Sequence, residues 1–133
     1  MEGYLFSFEK LEVWKASRTI AGVIYRLVKK FPEEEKFGLA IQMRRAVVSV
    51  CANIAEGSTR SSSKDQAHFT TIAYGSLIEL LNHLLISREL GYICDEDVDL
   101  IRPLVQDLSV RLSNLRKTQL AGKSTNPGLK TYQ

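Results

Sequence analysis

Apolar residues recur along most of the chain at intervals of three, four and seven. Leu11, Trp14, Ala21, Ile24, Val28 and Phe31 form one such row, closed by Pro32, and predict a first helix over about residues 9–31. A second row, Val13, Ile20, Val23 and Leu27, widens the stripe beyond that of a simple surface helix. Ala40, Met43, Val47, Val50, Cys51 and Ile54 define a second helix, 34–56, with Glu33, Glu34 and Glu35 at its positive end and Gly57 as its stop. Ser63 followed by Gln66 has the form of a capping box. It opens a third helix, 64–90, which carries Phe69, Ala73, Leu77, Leu80, Leu81, Leu84 and Leu85 and stops at Gly91. A fourth, 96–120, follows the acids Asp95, Glu96, Asp97 and Asp99; its row of Val98, Ile101, Val105, Leu108, Leu112 and Leu115 is the cleanest heptad in the chain. Pro103 lies inside this helix and predicts a kink in its first turns. Residues 121–133 are small, polar and aperiodic, a loose tail.

Connections of three to six residues force successive helices antiparallel, which yields an all-α, up-down-up-down four-helix bundle. A chain of 133 residues with 44% apolar and 25% charged residues builds one core, hence one domain. The first two helices carry more apolar surface than a four-helix core absorbs, which predicts a cyclic homo-oligomer. The longest uncharged run, Gln66–Ile78, is too short to span a membrane. Charges from Glu2 to Arg18 leave no apolar signal region. Cys51 and Cys94 read as core thiols in a reducing compartment, so a cytoplasmic location is expected.

The net charge of +3 is modest, and its excess lies in the second helix, the turn after it and the tail. Gln42, Arg45, Ser49, Asn53 and Glu56 repeat at helical spacing and form a polar stripe. A solvated face usually carries Lys and Glu, whereas this stripe has short uncharged groups, which points to contact with another helix or chain. A hairpin turning near residue 60 sets Arg44 close to Ser76 and within reach of Glu79, an expected interhelical Arg–carboxylate pair of structural rather than catalytic character. The structural polar network is thus Gln42, Arg44, Ser49, Asn53, Glu56, Ser76 and Glu79. Two histidines, His68 and His83, do not match the paired Glu-x-x-His pattern of di-iron bundles, so no metal is expected. Phosphate-loop, dinucleotide and nucleophile-elbow glycine patterns are absent, and neither an enzyme activity nor a cofactor is expected.

Phe8, Leu11, Val13 and Trp14, then Phe31-Pro32, Phe37-Gly38-Leu39, Gln42, Arg44-Arg45, Ser49, Asn53-Ile54-Ala55-Glu56-Gly57, Phe69, Ala73, Gly75-Ser76 and Glu79-Leu80 stand in a recognisable order. The chain resembles the bacterial four-helix bundle family of 23S rRNA-intervening sequence proteins from about Phe8 to Leu115. That resemblance implies an up-down bundle assembled as a homopentamer. It also implies an accessory protein that binds RNA or DNA, for which Arg45, Arg60 and Lys64 are the candidate contacts, with Arg44 set aside as neutralised. The alternative is a structural or protein-interaction module that binds no nucleic acid.

Overall fold

The computed structural model describes residues 3–122. They form four helices, α1 (Glu12–Leu27), α2 (Leu39–Gly57), α3 (Ser63–Glu89) and α4 (Asp95–Leu120), and no strand occurs among them. Short 3-10 turns flank α1 at Ser7–Lys10 and Val28–Lys30, and a third spans Glu33–Glu35. Except for Ala121 and Gly122, the tail expected over 121–133 lies outside the described residues.

The helices pack in a closed ring, α1 on α2, α2 on α3, α3 on α4 and α4 back on α1. The seams of α3 with α2 and α4 are extensive, and that between α1 and α4 is the thinnest. Met43, Val47, Val50, Leu77, Leu80, Leu84, Leu108 and Leu112 fill the centre with essentially no exposure. Of the second apolar row of α1, Val13, Ile20 and Leu27 are buried and Val23 is half-buried, because α1 is flanked on two sides. By length and composition α3 would also suffice to cross a membrane. Here it packs against α2 on one side and α4 on the other.

Local chemistry sets the helix ends. The three glutamates after Pro32 make a 3-10 turn rather than the first turn of α2. Glu35 then caps α2 from outside: its carboxylate accepts the Leu39 amide at 2.9 Å and the Tyr92 hydroxyl at 3.3 Å. At α3 the capping serine is Ser62, not Ser63; its hydroxyl accepts the Asp65 amide at 3.1 Å. Gln66 turns inward, where its side-chain amide donates to the Arg60 carbonyl at 2.9 Å. Gly91, at φ 78°, closes α3, with its own amide bonded to the Arg88 carbonyl and the Tyr92 amide to the Ser87 carbonyl; only a residue tolerant of the left-handed region fits there. Helix α4 is continuous through Pro103.

Two expectations are corrected. Gly57 has no positive φ and ends no helix by a left-handed cap. It is the last residue of α2, and a Cβ there would lie 2.8 Å from the Cβ of Phe69, so it permits α2 and α3 to approach closely. Both cysteines are free, but only Cys51 is half-buried; Cys94 is exposed at the start of α4. Burial pushes the Cys51 thiol pKa up.

Candidate functional site

The polar stripe of α2 divides between a seam and a surface. Ser49 and Ser76 share a hydrogen bond of 2.8 Å across α2–α3, and the Asn53 amide donates to the Ser49 carbonyl at 2.8 Å and to its hydroxyl at 3.1 Å. These three side chains satisfy one another where two helix backbones meet, which explains their short polar character. Gln42 and Arg45 face solvent. Glu56 accepts from Arg60 at 3.3 Å.

The expected Arg44–Glu79 pair does not form. Glu79 meets His83 one turn along α3, at 3.3 Å. Arg44 lies five residues before Ser49, which carries it roughly 140° around α2, away from α3 and toward α1. The hairpin register sets the correct height and the wrong side.

The cations proposed for nucleic acid do not form one patch. Arg60 is half-buried at the α2–α3 corner, with its guanidinium over the Phe69 ring at 4.6 Å and paired with Glu56. Lys64 is exposed on the first turn of α3, in an open groove shared with Asp65, His68 and Arg116; the Arg116 Nε donates to the Thr71 hydroxyl at 2.7 Å. Arg45 sits twelve residues before Gly57, roughly 18 Å along the α2 axis from that corner.

Arg45 instead has Arg44 for company. Together with Tyr25, Ile41, Val48 and Ser49 they line an open concavity on the α1–α2 face. No ion pair among the described residues engages either arginine. Sequence reasoning passed over Tyr25. Its one signal is that it belongs to neither apolar row of α1, so it had to face outward.

A second surface lies on α3. Ile72, Tyr74 and Ile78 are 38%, 38% and 43% exposed, and Gly75 stands among them with open space where its side chain would be. Ile86 continues the same helix two turns on. Helix α4 exposes apolar residues too, at Leu100, Leu104 and Val110, while α1 buries Val13, Ile20, Ile24 and Leu27 and leaves Tyr25 outside.

Among the described residues no three His, Cys, Asp or Glu side chains gather as a metal-binding set. His68 packs edge-on against Phe69. The described residues form a four-helix bundle with internal polar contacts between α2 and α3 at Ser49–Ser76 and between α3 and α4 at Thr70–Gln119, an apolar outer face on α3 and an arginine-lined concavity. Residues 9–114 match the family model of the 23S rRNA-intervening sequence proteins, and the chain belongs to that family. No curated protein matches it.

Proposed function

We propose that this protein is a non-enzymatic, self-assembling helical bundle whose copies pack through the outward face of α3, in the pentamer that the family resemblance implies. The carrying observation is Gly75. A glycine inside an exposed helix is less stable than alanine by about 0.5–1 kcal/mol, and apart from its chain neighbours and the adjoining turns of its own helix backbone nothing comes within 4 Å of the missing side chain. Close approach by a second chain accounts for it, and the exposed Ile72, Tyr74 and Ile78 around it supply apolar area for such a contact. Static light scattering at micromolar concentration tests the reading. It expects a multiple of the 15.0 kDa chain mass, and a monomer would reject it.

A second reading, binding of RNA or DNA by the assembled ring, is favoured by Arg44 and Arg45. Two adjacent arginines without acidic partners offer phosphate contacts that several copies would multiply, giving affinity that falls steeply with salt. Titration of structured RNA across a salt series tests it; absence of binding at about 50 mM salt leaves the assembly module alone.

A further inference from the structure

We infer that the α1–α2 concavity binds single-stranded nucleic acid, with Tyr25 stacking an unpaired base and Arg44 and Arg45 meeting the adjoining phosphates. The inference rests on the nucleic-acid reading above and gives it a site. Tyr25 is 44% exposed, on a helix whose other large apolar side chains are wholly or partly buried. Beside it, Ile41 and Val48 give an apolar floor, and Arg44 and Arg45 supply two positive charges with no acid in the lining.

An exposed aromatic ring, an apolar floor and paired guanidinium groups are the parts that single strands require: a π-face for a base and donors for the backbone. A duplex keeps its bases stacked on one another and offers no free face to Tyr25. The cationic track continues past Arg44 into a neighbouring depression lined by Lys29 and Lys36, with Glu33 its one acid. An acidic peptide would meet the arginines but leaves the aromatic ring without a role.

Fluorescence anisotropy with a labelled oligouridine of about ten nucleotides, read across a salt series, decides the matter. Tyr25→Ala is expected to weaken binding about tenfold and Tyr25→Phe to leave it unchanged, because stacking needs the ring and not the hydroxyl. The double substitution Arg44→Ala with Arg45→Ala is expected to flatten the slope of log affinity against log salt by about 1.4, or 0.7 for each lost single-strand contact. Arg44→Lys with Arg45→Lys restores the slope. Circular dichroism and light scattering on each variant separate lost binding from lost folding or assembly. Wild-type binding that none of the alanine variants alters overturns this site while leaving the nucleic-acid reading in place. Displacement by polyglutamate as readily as by unlabelled oligouridine overturns it too, in favour of an undirected anion patch. No wild-type binding at about 50 mM salt overturns both.

Discussion

Ser49 of α2 and Ser76 of α3 hold the widest seam of the bundle with a single hydroxyl–hydroxyl hydrogen bond of 2.8 Å, buttressed by the Asn53 amide on the Ser49 hydroxyl at 3.1 Å. Small side chains at this height keep the two backbones close. The bond also satisfies groups that burial would otherwise leave without water.

Removing the Ser76 hydroxyl alone is a modest change. Ser76→Ala leaves Ser49 with its Asn53 donor, and the loss is expected to be about 1 kcal/mol in urea unfolding. Ser76→Leu adds bulk where the helices meet and is expected to cost about 1–3 kcal/mol, and always more than alanine. Equal midpoints for the two variants would mean that the seam is not tightly packed.

Gly57→Ala is expected to destabilise the fold by about 1–3 kcal/mol, because the new methyl would have to displace a Cβ of the facing helix rather than the end of a flexible chain. Only removal of the Phe69 Cβ relieves the clash, and alanine keeps that atom. In the double variant with Phe69→Gly, the two costs are therefore expected to sum to less than their separate values, a coupling that denaturation of all four proteins measures.

Acid stability reports on the thin α1–α4 seam. The Lys30 ammonium bonds the Asp97 carboxylate at 2.7 Å. Chiefly that bond, helped by the amide of Cys94, holds the Asp97 carboxyl below the ordinary range, while the same pair raises Lys30. A lowered carboxyl contributes stability above its unfolded pKa of about 3.9 and loses it as pH falls through the lower folded value. A raised amine contributes below about 10.4 and loses its share as pH climbs past its folded value. Asp97→Asn is therefore expected to lower stability at neutral pH and to flatten its decline below about pH 4. Unchanged acid limbs in wild type and variant would show that the pair does not couple the helices.

The four helices were legible because apolar spacing at three and four residues is a property of each segment alone. What spacing cannot carry is the rotation of one helix against the next. Arg44 shows this: its height beside Ser76 follows from the hairpin, but its side of α2 depends on where α1 and α3 pack. Gly57 shows a second limit, since a glycine that ends a helix and one that admits a neighbouring side chain look alike in a sequence. The arginine concavity was half legible. Arg44 and Arg45 stood out as adjacent cations, but Tyr25 joins them only through the α1–α2 crossing, some twenty residues back along the chain.

Self-assembly through α3 is the central claim, and the mass of an outward-face variant tests it most directly. Ile78→Arg places a charge on a side chain that is 43% exposed in the single chain and makes no demand on the core. Sedimentation velocity at micromolar concentration is expected to give a multiple of 15.0 kDa for wild type and a folded 15.0 kDa monomer for the variant. A wild type that sediments at 15.0 kDa, or a variant that keeps the wild-type mass, contradicts assembly through this face.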